Sequence, residues 1–200
     1  MVGAVSIEVR PATADRWSDL VTVFGRRGDD PSWCWCQIFL RSEHAIPSAS
    51  EMPTDNRDAL YQEVTHAAVA PGLIAYVDDH PVGWTRVGLR SGFPGVRGNR
   101  ALARALNEED AGVWWVTCFA VDSRHRRSGI GSVLLRAAVE FAREHGATAV
   151  EGHPVDVAAL KAARVAGSAI YTGTVAMFAA AGFVEVARTY ASRPVMRLLM

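Results

Sequence analysis

The sequence has few cysteines, no excess of charge of either sign and no long apolar run. Its three cysteines, Cys34, Cys36 and Cys118, are too few and odd in number for a disulfide framework, so we expect a reducing compartment. The 21 basic side chains are balanced by 21 acidic ones, which argues against nucleic acid or a membrane surface as the partner. No apolar stretch reaches the ~20 residues that a membrane-spanning helix needs.

The first residues of the chain lack the basic start and the long apolar segment of a signal peptide, so we expect a cytoplasmic protein. Half of the 200 residues are hydrophobic, which is enough to bury a core without disulfides or a metal. No repeat, low-complexity tract or linker interrupts the pattern. We therefore expect residues 1–200 to form a single domain.

Hydrophobic periodicity predicts strands and helices in alternation. Seven segments have the pattern of strands, namely 5–9, 73–77, 82–87, 113–121, 147–151, 183–187 and 195–199. Helical spacing predicts helices at about 13–24, 54–66 and 130–145, a short helical turn at 101–107, and helical structure over much of 157–181. Residues 29–53 and 90–100 are expected to be loops. This order indicates an α/β protein.

A segment between the fourth strand and the helix after it has the composition of an anion-binding loop. Its residues are Arg126, Arg127, Ser128, Gly129, Ile130, Gly131 and Ser132. A helix N-terminus offers unpaired backbone N–H groups and partial positive charge, and glycine lets a phosphate approach the main chain. The arginines add charge that suits phosphate oxygens. The sequence therefore predicts a phosphate-bearing ligand here, with a solvated Gly/Arg turn as the alternative.

Two common phosphate-binding motifs do not fit this loop. A nucleoside-triphosphate loop requires Gly-Lys-Ser/Thr after the glycines, and the chain has none. The dinucleotide fingerprint requires three glycines after the first strand, whereas only Gly129 and Gly131 occur here, after the fourth.

The Arg-x-x-Gly-x-Gly pattern between a strand and an amphipathic helix resembles motif A of the GNAT (Gcn5-related N-acetyltransferase) superfamily. The run from Phe178 to Phe183 is similar to the Tyr-x-x-x-Gly-Phe of that family. The resemblance covers most of the chain and is weakest across 29–53 and 90–110. It implies an α/β (α+β) fold with a mixed, mostly antiparallel sheet of about seven strands, flanked by helices and splayed at the fourth and fifth strands.

The resemblance also implies an activity, which is transfer of an acetyl group from acetyl-CoA to a primary amine of a small molecule or peptide. The amine attacks directly in a ternary complex, so neither a metal nor an enzyme nucleophile is needed. Residues 126–132 would hold the pyrophosphate, and the backbone of Phe119, Ala120 and Val121 would pair with pantetheine. A main-chain N–H near Cys118 to Ala120 would hold the oxyanion. Phe178 is assigned to the cofactor site by its place in the motif.

The residues for proton transfer are less clear because Phe178 stands where the family has a tyrosine. Tyr171, or water, is the candidate donor for the departing thiolate, although Tyr171 also suits a packed aromatic. Glu151 is the candidate base, with His153 and Asp156 just beyond it; the alternative is a solvated strand end and a histidine in a turn. Without a donor, the chain would be a weak catalyst or a module that senses acyl-CoA.

The acceptor is not identifiable from the sequence, but some residues are candidates for its site. Trp33 and Trp35 suit the wall of a pocket for an amine, or equally an anchor of their loop to the core, and His153 lies near the expected open end. Cys34, Cys36 and His44 fall short of the four ligands of a structural zinc site.

A run of five arginines suits an anionic acceptor, the 3′-phosphate of CoA or a solvated face; they are Arg86, Arg90, Arg97, Arg100 and Arg104. Proteins of this kind are often dimers, so a homodimer is an open possibility.

Overall fold

A sheet of seven strands organises the part of the chain that the computed structural model describes, residues 6–40, 56–106, 111–162 and 167–200. The strands are β1 (Ile7–Pro11), β2 (Gly72–Val77), β3 (His80–Leu89), β4 (Val113–Val121), β5 (Ala149–Gly152), β6 (Val184–Tyr190) and β7 (Arg193–Leu199). Their order across the sheet is β1-β2-β3-β4-β5-β7-β6. All neighbours are antiparallel except β4 and β5, which are parallel. The predicted fold class is confirmed.

Helices cover both faces of the sheet. They are α1 (Trp17–Phe24), α2 (Asn56–His66), α3 (Pro94–Arg97), α4 (Arg100–Ala105), α5 (Ile130–Glu144), α6 (Val157–Ala162) and α7 (Val175–Ala180). One buried cluster joins α5 and α7 to one face, and two further clusters join α1 to α4 to the opposite face. Within the described ranges, no helix combines the length and apolarity needed to cross a bilayer.

The helix that fits its prediction most closely is α5, which packs tightly on the sheet. Leu134 and Leu135 are fully buried against it. Gly83 makes this approach possible, because a Cβ there would lie 2.8 Å from Ile130 Cγ2 and 3.1 Å from Leu134 Cδ1. The helix ends at Glu144, just before the predicted stop. The close packing fixes the N-terminus of α5 at the end of β4.

The predicted loop at 90–100 is wrong, since it contains a 3-10 turn and α3 and leads directly into α4. Pro94 stands at the first helical positions, where its fixed φ is favourable. The Asn99 side chain caps α4 by accepting from the N–H groups of Ala101 and Leu102. Phe93 and Val96 are buried three residues apart. This helical spacing is not evident from the sequence, because glycines and arginines surround the two residues.

The sheet splays where β4 and β5 part. Their parallel pairing joins Val113–Val116 to Ala149–Gly152 and extends no further, although β4 continues to Val121. Beyond β5 the chain turns away, and Val155 forms a bridge with Thr174 instead. The second half of β4 therefore borders a gap, which confirms the predicted splay.

A β-bulge in β4 accompanies the splay. The register with β3 changes from Thr85 opposite Phe119 to Val87 opposite Val116, so that Arg86 faces two residues of β4. A bulge re-aims the strand and increases its twist. The bulge begins directly after Val116, the last residue of β4 that pairs with β5, so it coincides with the start of the gap.

Candidate functional site

The N-terminus of α5 is open to an anion. Gly129 occupies the N-cap position with φ of 87°, and no side chain caps the helix or places a negative charge in its first turn. A Cβ built on Gly129 would meet no heavy atom within 4 Å. Ser128 bends back to donate to the carbonyl of His125, which leaves the space before the helix clear. The predicted loop thus presents main-chain N–H groups to a free volume.

Three arginines lie around this opening, and they differ in whether a carboxylate neutralises them. Arg124 pairs with Asp122 at 2.8 Å, and its hydrogen bonds lower the pKa of that carboxyl to about 2. Arg126 and Arg127 are exposed, and Arg126 donates to the carbonyl of Val121 at 3.4 Å. Among the described residues, neither Arg126 nor Arg127 is held by a carboxylate, whereas Arg124 is.

The first turn of α5, with Gly131 and Ser132, lies against α7. A Cβ on Gly131 would stand 3.2 Å from the Met177 sulfur. Gly173, with φ of 82°, is tighter still, because its Cβ would lie 2.5 Å from Met177 and 2.9 Å from the Phe178 ring. These glycines let α7 close one side of the gap.

Phe178 is fully buried on this side of the gap. Its ring meets Phe119 edge-on at 6.3 Å and Phe183 at 4.9 Å. A Cβ on Gly152 would be 2.4 Å from the same ring. Phe178 therefore packs the floor of the splay, and its predicted contact with a cofactor stays a prediction.

The part of β4 beside the gap has two chemically different faces. Phe119 and Val121 pack with the cluster around α5, whereas Cys118 and Ala120 pack with the cluster on the opposite face. The backbone between them has β3 on one side and the gap on the other. The structure thus brings the three residues predicted to pair with pantetheine next to the anion-binding loop.

Tyr171 lies across the gap from β4, on a 3-10 segment, Gly167–Thr172. Its ring is 6.3 Å from Phe39, and the side chain is partly exposed. Burial raises the pKa of its hydroxyl, and the charge of Arg193 opposes that rise. Arg193 also holds the segment by donating to the Thr172 hydroxyl at 2.8 Å. The hydroxyl is therefore protonated near neutral pH, and the segment that carries it contacts β4.

Glu151 is buried rather than open to solvent. One carboxylate oxygen accepts from Arg90 at 2.7 Å and the other from Arg197 at 2.8 Å. The residue has no exposed surface. Both oxygens thus serve ion pairs on the face of the sheet that carries Trp115. The role of Glu151 as base stays a prediction.

His153 and Asp156 follow at the end of β5. Burial lowers the pKa of His153 to about 4, with help from the charge of Arg193. Its Nε2 lies 2.8 Å from the Thr189 hydroxyl and 3.3 Å from the Arg193 carbonyl. Asp156 caps α6, since its Oδ1 accepts from two backbone N–H groups. The imidazole is therefore neutral, and the carboxylate is occupied.

The two tryptophans of the candidate acceptor site differ in burial. Trp35 is fully buried against Trp17 and Phe24, and its indole N–H donates to the Asp30 carbonyl at 2.9 Å. This burial agrees with the alternative interpretation, in which Trp35 anchors its loop to the core. Trp33 is half-buried, with the Arg27 guanidinium stacked 4.1 Å from its ring centre.

Cys36 and Cys118 form a thiol pair that their spacing in the sequence did not indicate. Cys36 is buried, and the Trp84 indole N–H donates to its sulfur at 3.0 Å. A hydrogen bond from the Cys118 thiol lowers the pKa of Cys36 and raises that of Cys118 well above its usual range. No three His, Cys, Asp or Glu side chains of the described ranges come together as metal ligands. His44 lies outside the described residues.

The run of five arginines is divided by the structure. Arg86 donates to Glu63 at 2.6 Å and Arg90 to Glu151, and both arginines are buried. The other three are exposed, namely Arg97, Arg100 and Arg104. Neighbours in sequence thus have opposite environments, because Arg86 in β3 and Arg90 in the 3-10 turn after it reach carboxylates, whereas α3 and α4 direct their arginines to the surface.

Three solved structures resemble this fold. The GNAT domain of S. lividans PAT is 18% identical, with a TM-score of 0.56 over 97% of this chain and 90% of that chain. A Gcn5-related N-acetyltransferase from Kribbella flavida is 15% identical, with a TM-score of 0.55 over 97% and 98%. Aminoglycoside acetyltransferase AAC(6′)-Ib, in complex with coenzyme A and kanamycin, is 17% identical, with a TM-score of 0.53 over 97% and 95%.

No curated protein matches the sequence significantly. The sequence profile of the acetyltransferase (GNAT) family does match, over residues 33–167. That span includes α2 to α6, the splayed strands and the anion-binding loop. Because it is more than half of the chain, the protein belongs to the GNAT acetyltransferase family.

Proposed function

We propose that this protein transfers an acetyl group from acetyl-CoA to a primary amine of a small molecule or peptide. The observation that carries the proposal is the uncapped, open N-terminus of α5 beside the gap in the sheet. Membership of the family supports the reaction type. The complex of AAC(6′)-Ib with coenzyme A and kanamycin shows that a protein of this fold takes such a pair of ligands.

The residues around the gap fit the cofactor. The N–H groups from Gly129 to Ser132, with Arg126 and Arg127, suit a pyrophosphate, since a Cβ-free position and exposed cations meet there. The free edge of β4 suits the amides of pantetheine. No covalent bond to the protein is required at any point.

Acetyl-CoA supplies an acyl group that is activated as a thioester. The protein's own contribution starts with a main-chain N–H of β4, near Cys118 to Ala120, which donates to the carbonyl oxygen as negative charge develops there. Holding the amine and the acyl group together in the gap supplies further rate. The Tyr171 hydroxyl, protonated near neutral pH, holds the proton that the departing sulfur takes up.

His153 is our candidate for the group that accepts the proton of the amine. Both oxygens of Glu151 accept from arginines, and Asp156 caps a helix. His153 is neutral because its pKa is lowered to about 4, and it directly follows β5 at the splay. A weak base suffices when the proton becomes acidic as the new bond to nitrogen forms. In this scheme Glu151 holds Arg90 and Arg197 in place.

One observation favours a second candidate, a catalytically weak module that binds acyl-CoA. Phe178 stands where the family motif has a tyrosine, and its buried ring has no proton to donate. If Tyr171 is only a packed aromatic, the protein would bind the cofactor and transfer its acetyl group slowly.

Two measurements test these candidates. Calorimetry with acetyl-CoA should show saturable binding, and a panel of amines should include acceptors that accelerate release of the CoA thiol. Binding without turnover across a broad panel would favour the sensing module. Absence of binding at any workable concentration would remove both candidates.

A further inference from the structure

A cavity of about 410 Å³ opens between α4 and β6, on the face of the sheet opposite α5. Three arginines and an aromatic residue line it, namely Arg100, Arg104, Arg188 and Tyr190. Thr189 and two small residues of α4 complete the lining. We call it the arginine cavity.

The arginine cavity carries an excess of positive charge. Arg100 and Arg104 stand one turn apart on α4, both are exposed, and neither makes an ion pair in the described part of the chain. Like charges at this spacing repel each other. Arg188 is shared with Glu185 at 2.6 Å and Asp156 at 3.6 Å, carboxylates that do not line the cavity. Two guanidinium groups thus line a concave space in which the described residues place no carboxylate.

The arginine cavity adjoins the acceptor end of the gap. The Thr189 hydroxyl in its wall lies 2.8 Å from His153 Nε2. His153 follows the last residue of β5, where the strands part. One hydrogen-bonded pair of side chains therefore links the wall of the cavity to the end of β5, where the splay begins.

We propose that the arginine cavity binds an anionic group of the acceptor, so that the acceptor is an amine that also carries a carboxylate. This inference rests on the proposed function. Guanidinium groups bind carboxylates through paired, charge-assisted hydrogen bonds. The exposed ring of Tyr190 adds an apolar surface for the body of the same ligand. Two-point binding holds the amine toward β4 and the carboxylate in the cavity.

Phosphate is the other group that this chemistry accepts, and it has two sources. An acceptor with a phosphate in place of a carboxylate would occupy the same position. The 3′-phosphate of CoA would come from the cofactor instead, and its loss would weaken cofactor binding rather than acceptor use.

Matched acceptors test the proposal. Three pairs consist of an amino acid and its carboxamide, for alanine, phenylalanine and lysine. A fourth pair is phosphoethanolamine and ethanolamine. We expect kcat/KM to be about 10- to 100-fold higher for the anionic member of a pair, since charge-assisted hydrogen bonds are worth that much in binding. The double variant Arg100→Gln/Arg104→Gln should abolish this ratio and leave the Kd for acetyl-CoA unchanged. Arg97→Gln is the control, because Arg97 is exposed nearby but does not line the cavity.

Other outcomes separate the two proposals. Turnover with equal kcat/KM for acid and amide would refute the proposed role of the arginine cavity and leave the proposed function standing. Weaker binding of acetyl-CoA to the double variant would show that the cavity binds the cofactor instead. If no amine is turned over, calorimetry with glutarate and with inorganic phosphate still shows whether the arginine cavity binds anions. Binding to the wild type that the double variant loses supports the cavity, and no binding refutes it.

Discussion

The two ends of the gap beside β4 are built in different ways. At the proposed cofactor end, one continuous segment supplies backbone N–H groups from the loop and the first turn of α5. At the proposed acceptor end, the candidate side chains come from β5, the residues after it and the 3-10 segment, and Arg193 of β7 links His153 to that segment. The first end depends on main-chain geometry, and the second depends on long-range pairing.

This difference has a chemical reason. A diphosphate is the same in every reaction of acetyl-CoA, so a backbone cradle with few side chains suits it. An acceptor differs from one enzyme to another, and side chains on separate elements can change independently. The comparison therefore predicts that single changes at the cofactor end affect one ligand, whereas changes at the acceptor end affect stability, rate and pH dependence separately.

The largest effect is expected at the backbone cradle. Gly129→Glu should weaken acetyl-CoA binding at least about 100-fold, because a side chain and a negative charge would enter the space that the pyrophosphate needs. Calorimetry measures the change. Gly146→Glu is the matched control, since Gly146 follows the other end of α5 with a similar φ of 77° and open space around it. Near-native affinity in Gly129→Glu would rule out this placement.

Glu151→Gln should change the acceptor end chiefly through stability. We expect a loss of about 3 kcal/mol in the free energy of unfolding, because Arg90 and Arg197 lose the buried charge that they share. Glu185→Gln, in an exposed pair, should cost at most about 1 kcal/mol. Denaturant titration measures both. A kcat at least about 100-fold lower with unchanged stability would instead identify Glu151 as the base.

Tyr171→Phe should separate rate from binding. We expect kcat to fall about 10- to 100-fold with the Kd for acetyl-CoA unchanged, because the variant keeps the ring and loses the proton donor. The control is Tyr61→Phe, which removes a hydroxyl from α2, away from the gap. An unaltered kcat would assign the donor role to water and make Tyr171 a packing residue.

The smallest effect concerns the pH dependence of stability. Burial lowers the pKa of His153 from 6.5 to about 4, so between these values the unfolded chain binds a proton that the folded chain does not. The contribution of neutral His153 to the free energy of unfolding is therefore fully present above pH 6.5. It is lost as the pH decreases toward 4, by about 2 kcal/mol after allowance for partial exposure. His153→Gln should flatten this decline. The exposed His80→Gln should leave it in place, and an unchanged slope in His153→Gln would refute the assignment.

Particular residues show how far the sequence reaches. Gly129 and Gly131 were informative because their function depends on neighbours in the chain, namely the strand before them and the helix after them. Glu151 looked like a strand-end carboxylate because its partners, Arg90 and Arg197, are 61 and 46 residues away. The Cys36–Cys118 pair and the arginine cavity were hidden for the same reason. Phe93 and Val96 were missed because tertiary burial outweighed the glycines around them.

The sequence by itself determined the order of the seven strands, the position of the candidate anion-binding loop and the family, since each depends on local periodicity or on one short motif. Only the tertiary structure decided which side chains meet across the sheet. It buried Arg86 and Arg90 in ion pairs while leaving Arg100 and Arg104 exposed in a cavity. The physical reason is that burial and pairing follow from long-range strand register and helix packing, which local residue patterns do not encode.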